Sequence, residues 1–251
     1  MIGVSSDRDI QLWNLAADQY TDHVTGTEDS FYRRLHPFLW RTLGEVSGHR
    51  VLDLGCGHGW LAEQLRLAGG HVTGIDGSTA LLQHARATYP TITFTAHDLT
   101  TGLPRPLQTY HAVVAHMVLM DLPHLQPLVA DIRDSLTEDG VFVFSLLHPS
   151  FFAQSPIEDP TGERYRKVTG YLHHEQRWIT SFGGHHHYHR PLSWYIQLLT
   201  SNGLAVTGLH EPPTLPPHTK PDSEWTDYER WFATIPTMLA VACRPTRNQS
   251  T

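Results

Sequence analysis

The chain has 251 residues, enough for one large α/β domain with an elaborated cap, and no window of about 18 apolar residues that would cross a membrane. Its net charge of −7, with 18 Lys and Arg that form no cluster, argues against an extended nucleic-acid surface. The only cysteines, Cys56 and Cys243, are too few for a disulfide scaffold and not in a zinc spacing, and residues 1–9 are polar with no apolar signal core, so a reducing, cytoplasmic location is expected.

Residues 7–47 read as two helices. In the first, Trp13, Ala16, Ala17 and Tyr20 fall at i, i+3, i+4 and i+7 and share one face; the second covers about residues 31–43. A β-type run then breaks into three alternate glycines, Gly55, Gly57 and Gly59, with Asp53 two positions ahead of the first and Cys56 inside the loop. Glycine there permits φ > 0 and lets the backbone approach a nucleotide-like ligand at the mouth of a sheet. A dinucleotide fingerprint needs its third glycine at position 60, which is Trp60, so a nicotinamide cofactor is disfavoured.

Residues 72–75 lead to Asp76 at the end of a second strand, where a carboxylate can accept from both ribose hydroxyls. Gly77 and Ser78 follow, and Ser78 is placed to cap a helix through Leu81, Leu82 and Ala85 to about Tyr89, where Pro90 stops it. A third strand, residues 92–96, empties into His97, Asp98 and Leu99. The fourth, residues 110–115, ends at Ala115 and His116, and the fifth, residues 141–147, follows a Glu138-Asp139-Gly140 turn and delivers His148. In an open α/β sheet the reacting groups gather at these carboxyl ends, which makes His116 and His148 the candidate general bases.

These three signals, at successive βα junctions over roughly residues 45–150, resemble motif I and its partner motifs in class I S-adenosylmethionine-dependent methyltransferases, in particular the small bacterial kind known as types 11 and 12. The resemblance implies a Rossmann-like, seven-stranded, mostly parallel sheet with one antiparallel strand, flanking helices and an aromatic lid. It implies S-adenosylmethionine as cofactor and S-adenosylhomocysteine as product. The residues expected around that cofactor are Tyr20, Asp53, Gly55, Cys56, Gly57, Asp76, Gly77, Ser78, Asp98, Leu99 and Ala115, with Asp98 accepting from the adenine amino group. The N-terminal helices of such proteins close over the cofactor, so Trp13 and Tyr20 serve either as core or as ligand contacts. Positions 115–118 read Ala-His-Met-Val rather than the Asn-Pro-Pro-Tyr type of adenine-amino methyltransferases, which favours a small-molecule acceptor, with transfer to oxygen or nitrogen ahead of carbon and a role in secondary metabolism.

Residues 148–190 form a long connection rich in Phe151, Phe152, Tyr165, Tyr171, Trp178, Phe182 and Tyr188, as a substrate lid would be. Residues 172–179 and 185–190 read as a hairpin turning at 181–184. The 19 histidines outnumber Lys and Arg together, so full protonation would reverse the sign of the net charge and acid sensitivity is expected. On an extended strand His185, His187 and His189 share one face, and His186, Tyr188 and Arg190 the other. The first face offers imidazoles to zinc or iron, with His173 or His174 opposite, but no carboxylate completes such a set and a metal-free site is expected. Arg190 or His189 can hold a substrate carboxylate or phenolate, in a stretch, residues 189–193, similar to one preceding the last large helix of many bacterial small-molecule methyltransferases. The acceptor pocket is expected to draw on Trp13, Phe152, Tyr165, Tyr188, His189, Arg190 and Trp194. Two alternatives remain: a metal-assisted methyltransferase using the lid histidines, and a cofactor-binding protein without transferase activity.

The remainder reads as a helix over residues 192–202, sixth and seventh strands over 204–210 and 237–243, a proline-rich loop over 212–221, and a short helix whose Trp225, Tyr228 and Trp231 are expected to be buried packing. One domain over residues 1–251 is divided into a helical cap (1–47), a cofactor half (48–147), the lid (148–190) and a segment completing the sheet (191–251).

Overall fold

A computed structural model describes residues 6–24, 30–152, 156–214 and 221–246. Two helices, α1 (Ser6–His23) and α2 (Ser30–Leu43), precede β1 (Arg50–Leu54), α3 (Trp60–Leu67), β2 (His71–Asp76), α4 (Thr79–Thr88), β3 (Thr93–Ala96), β4 (Tyr110–His116), α5 (Gln126–Ser135) and β5 (Leu136–Leu147). The lid carries β6 (Pro156–Glu158), β7 (Arg164–Arg166), β8 (Glu175–Ile179) and β9 (His185–His189). After it come α6 (Leu192–Ser201), β10 (Leu204–His210), α7 (Asp227–Ala233) and β11 (Met238–Pro245).

Seven strands form one sheet in the order β10-β11-β5-β4-β1-β2-β3, and β11 alone runs antiparallel to both of its neighbours. Strand β1 is parallel to β2 on one side and to β4 on the other. The crossovers therefore leave β1 in opposite directions, which opens a crevice at the carboxyl ends of β1 and β4. Burial on both faces explains the unbroken apolar runs of the central strands. Leu52, Val113, Phe142, Phe144, Leu239 and Val241 join one core with residues of α5 and α6, such as Leu128, Ile132 and Leu199. Their neighbours Val51, Val114, Val143, Ala240 and Ala242 point the other way, against Leu35, Phe38 and Leu39 of α2 and Leu61 and Leu65 of α3. That alternation is the two-residue period of extended chain.

The sixth strand lies where the sequence places it, and the lid hairpin pairs Glu175–Ile179 with His185–His189 around a 3-10 turn at Ser181–Gly183. Two expectations change. The fifth strand begins at Leu136, directly after α5, and the Glu138-Asp139-Gly140 turn becomes a break in register between Tyr110↔Leu136 and Ala112↔Val141. Helix α7 buries none of its residues, and Tyr228 is 41% exposed. It is held by a capping box between Thr226 and Glu229, and Tyr228 and Phe232 lie under the guanidinium groups of Arg164 and Arg166 from the β6–β7 hairpin. Residues 215–220 of the expected proline-rich loop lie outside the described residues. Among those described, no helix is long and apolar enough to cross a membrane.

Candidate functional site

The glycine loop occupies the crevice. Gly55 sits at φ 63°, and a Cβ built on it would fall 2.4 Å from Cγ2 of Val118, so both the backbone and the neighbour demand glycine. Its N–H and that of Cys56 donate to the Ile75 carbonyl, at 2.8 and 3.1 Å, which fastens the loop to β2. Gly57, at φ 55°, has nothing closer to its missing Cβ than the Tyr20 ring at 3.5 Å, leaving room for a ligand to approach the backbone.

Asp76 closes the loop from the other side. Its Oδ2 accepts from Gly57 N and its Oδ1 from Ser78 N, both at 2.8 Å. Each oxygen keeps a second lone pair for a ligand hydroxyl. Burial pushes this carboxyl up, against the lowering effect of the Ser78, Gly57 and Gly77 amides. Ser78 caps α4 as expected, its Oγ accepting from Leu81 N at 3.1 Å. For Asp98 burial also works upward, but hydrogen bonds from Ser6 and Thr100 outweigh it and hold the group below the usual carboxylate range.

Around these residues lies a cavity of about 470 Å³. Gly55, Gly57, Asp76, Gly77, Ser78, Asp98 and Leu99 line it from β1, β2 and β3, and Trp13 and Tyr20 line it from α1. The helical stripe thus divides its labour: Ala16 and Ala17 are buried, while the two aromatics, packed edge to face at 5.6 Å, face the cavity. Three residues expected at the cofactor are not among those lining the cavity. Asp53, Cys56 and Ala115 are buried behind the lining. Burial and then the charge of Asp76 push the Asp53 carboxyl up to about 8, and its Oδ2 has no partner among the described residues. The same burial raises the Cys56 thiol, which makes it unreactive.

Of the two candidate bases, His116 lines the cavity and His148 does not. His116 Nδ1 lies 2.7 Å from Ser145 Oγ, which also accepts from Met117 N at 3.2 Å. His148 is 4% exposed with both ring nitrogens engaged: Nδ1 accepts from Ser150 N at 3.1 Å, so Nε2 carries the proton and donates to Glu211 Oε1 at 2.8 Å. It is a structural histidine.

Among the expected substrate contacts, Trp13 and Phe152 line the cavity, while Tyr165, Tyr188, His189, Arg190 and Trp194 do not. Tyr165 stands exposed on β7. His189 donates from Nε2 to the Tyr171 carbonyl at 2.9 Å. Arg190 gives its Nη2 to the carbonyls of Leu122 and Pro123, at 2.6 and 2.8 Å, and lies 4.8 Å over Trp194. Its charge is spent on the loop after β4, not on a ligand. Tyr188 acts one step removed, donating its hydroxyl to Oδ2 of Asp9, a lining residue, at 2.6 Å.

The strand alternation of the lid histidines holds, but their surroundings do not form a metal centre. His185 packs on Trp13, His187 on Phe152, and His189 faces Tyr171. Burial, reinforced by Arg177 and the neighbouring histidines, pushes His187 down to about 3. No group of three metal-ligating side chains occurs among the described residues.

Two lining carboxylates, Asp9 and Asp121, carry no motif in the sequence. Asp9 receives His186 Nδ1 and Tyr188 OH on its two oxygens, both at 2.6 Å, joining α1 to the lid across the length of the chain. Asp121 ends a short 3-10 helix, Leu119–Asp121, after β4. Met117 and Phe182, at φ 57° and 54°, are the two non-glycine residues with positive φ among those described, and both line the cavity.

Comparison with known proteins agrees with this geometry. A family described as "Methyltransferase domain" matches residues 51–140. The malonyl-acyl-carrier-protein O-methyltransferase of Erwinia billingiae is 33% identical over 219 residues, 80% of this chain and 80% of that protein. The trans-aconitate 2-methyltransferase of Paracidovorax citrulli is 33% identical over 148 residues, 54% of this chain and 56% of that protein. Like it, several curated relatives are matched over about half of their length. A solved S-adenosylmethionine-dependent methyltransferase from Mesorhizobium loti has a TM-score of 0.71 at 27% identity, with 84% of this chain and 97% of that one covered.

The chain belongs to the class I S-adenosylmethionine-dependent methyltransferases. The residues present fit that cofactor: a backbone cradle at Gly57 that a side chain would narrow, a carboxylate at Asp76 with lone pairs to spare, and an acidic lining suited to a sulfonium.

Proposed function

We propose that this protein transfers the methyl group of S-adenosylmethionine to oxygen or nitrogen of a small organic acceptor, within the reducing cytoplasm and in a biosynthetic setting. The observation that carries this reading is the position of His116, at the end of β4 and on the cavity wall across the crevice from Gly57 and Asp76. The cofactor supplies an electrophilic methyl group on a positively charged sulfur. Gly57, Asp76, Ser78 and Asp98 are the residues to hold it, Asp76 at the ribose and Asp98 at the adenine. Trp13, Tyr20 and Phe182 close the cavity and exclude water, which favours alignment of acceptor and methyl group.

Ser145 orients the His116 ring. With Nδ1 donating to Ser145 Oγ, Nε2 carries the lone pair that takes the acceptor proton, a contribution of roughly 10²- to 10⁴-fold. Relatives named for trans-aconitate, malonyl-acyl-carrier-protein and ubiquinone biosynthesis methylation support a biosynthetic acceptor. Incubation with methyl-labelled cofactor and an acceptor library tests the reading. Label should pass to an acceptor, and S-adenosylhomocysteine should bind the folded protein by calorimetry. Binding without any transfer would leave a cofactor-binding protein, and no binding would remove the cofactor assignment.

A further inference from the structure

The cavity is acidic. Four carboxylates line it, Asp9, Asp76, Asp98 and Asp121, and among the described lining residues there is neither Lys nor Arg. Three of the four are committed. Asp76 holds the glycine loop, Asp98 holds Ser6 and Thr100, and Asp9 holds His186 and Tyr188. Asp121 is different: it is 8% exposed, it lines the cavity, and its Oδ1 has no hydrogen-bond partner among the described residues. A buried carboxylate without a partner is costly, and it persists where a ligand completes it.

From this we infer that Asp121 is the specificity-determining residue for the acceptor, and that the acceptor is an amine on an apolar or aromatic body, its nitrogen seated against the Asp121 carboxylate. The inference rests on the methyltransferase reading and narrows it. The cavity that Asp121 lines also has apolar and aromatic walls, with Met120, Leu147, Phe152, Ile179 and Phe182. A free carboxylate on the acceptor would meet repulsion there, and the nearby guanidinium of Arg190 is held by the carbonyls of Leu119, Leu122 and Pro123. Acceptors that carry a free carboxylate are therefore disfavoured.

The chemistry balances. A bound ammonium, its charge set against Asp121, passes one proton to Nε2 of His116, which frees the nitrogen lone pair. That pair forms the new N–C bond to the methyl of the sulfonium while the C–S bond breaks, its electron pair staying on sulfur as a thioether. The product is the protonated, methylated amine. Burial and the charge of Asp9 push the Asp121 carboxyl well up, a cost that a bound ammonium relieves.

The experiment measures three probes of equal body by calorimetry on the full chain saturated with S-adenosylhomocysteine: 2-phenylethylamine, 2-phenylethanol and 3-phenylpropionate. The amine should bind at least about tenfold more tightly than either of the others. In Asp121→Asn, which keeps the shape and loses the charge, that preference should vanish while S-adenosylhomocysteine affinity changes by less than about twofold. Intact S-adenosylhomocysteine binding with no preference for the amine, with a preference for the carboxylate, or with the amine preference unaltered in Asp121→Asn overturns the assignment of Asp121 alone. Failure of the wild-type protein to bind S-adenosylhomocysteine overturns the methyltransferase reading and this one with it. The selectivity of the wild-type protein needs no variant, so the test stands even if the substitution unfolds the chain.

Discussion

Replacing Arg190 by alanine should unfold the acceptor side of the site rather than weaken its grip on an anion. The guanidinium is 5% exposed and donates to four carbonyls: Leu122 and Pro123 at 2.6 and 2.8 Å, and Leu119 and Tyr188 at 3.4 and 3.5 Å. The two short bonds are charge-assisted, each contributing about 1.5–3 kcal/mol, and the contact with Trp194 adds roughly 0.5–2 kcal/mol. Because the bonds share one side chain, a loss of about 3–5 kcal/mol is expected for Arg190→Ala. That is a large part of the 5–15 kcal/mol typical of a domain. Arg190→Lys keeps the charge but not the fork, reaches one carbonyl at a time, and should lose about half as much. Equilibrium unfolding in urea, with calorimetric titration of 3-phenylpropionate on the same samples, measures both possibilities. Stability of Arg190→Ala within about 1 kcal/mol of wild type, together with lost affinity for the anion, would refute the structural role and restore Arg190 to the substrate.

Three further outcomes are expected. His116→Ala should lower kcat by roughly 10²-fold or more with S-adenosylhomocysteine affinity nearly unchanged, and a wild-type rate with the natural acceptor would show that alignment alone drives transfer. Gly55→Ala, facing both φ 63° and the Cβ and methyl of Val118, should cost more than about 2 kcal/mol, and Gly55→Ala with Val118→Gly should recover part of this; no recovery in thermal unfolding would mean that the backbone angle carries the whole cost. For Asp53 the folded carboxyl titrates near 8 against an ordinary 3.8, so the folded state keeps a proton that the unfolded chain releases. Stability from this group is full below about pH 4 and is lost as pH rises to about 8, by up to about 6 kcal/mol, and Asp53→Asn should remove that slope. Parallel urea-stability curves for wild type and Asp53→Asn between these limits would contradict the assignment.

The strands and the cofactor end of the site were legible because each is a local pattern. Val51 to Leu54, the alternate glycines, and Asp76 and Asp98 at the next two junctions lie close together in the chain, and each strand ends where its polar residue begins. Ser78 and the turn of the lid hairpin followed from capping and turn chemistry. The acceptor end was not local. Asp9 looks like one more acid in a polar helix start, and what makes it part of the site is a pair of partners 177 and 179 residues away. Asp121 sits in a single 3-10 turn with no periodicity to read. In the lid, composition suggested Tyr165, His189, Arg190 and Trp194, but a strand face does not say which neighbour covers it. His189 found Tyr171, Arg190 found the loop after β4, and Tyr165 found solvent. His148 follows its strand as His116 does, yet the chain reverses at once and the ring turns toward Glu211.

The place of β11 in the sheet has a consequence for the order in which the molecule can be made. It lies between β5 and β10, pairing Met238↔Leu147 through Cys243↔Phe142 on one side and Leu204↔Pro245 onward on the other. A ribosome delivers β5 long before β11, so during synthesis an apolar strand with an open edge waits for a partner that comes after the lid and β10. Nascent chains held at that stage should be prone to pair with one another. Loss of residues 237–245 would also cut the sheet in two and remove the Thr237 carbonyl, which accepts from His148 N. An affinity tag or fusion partner that crowds this strand would then act on the wall of the cavity itself, since Leu147, the β5 partner of Met238, lines it.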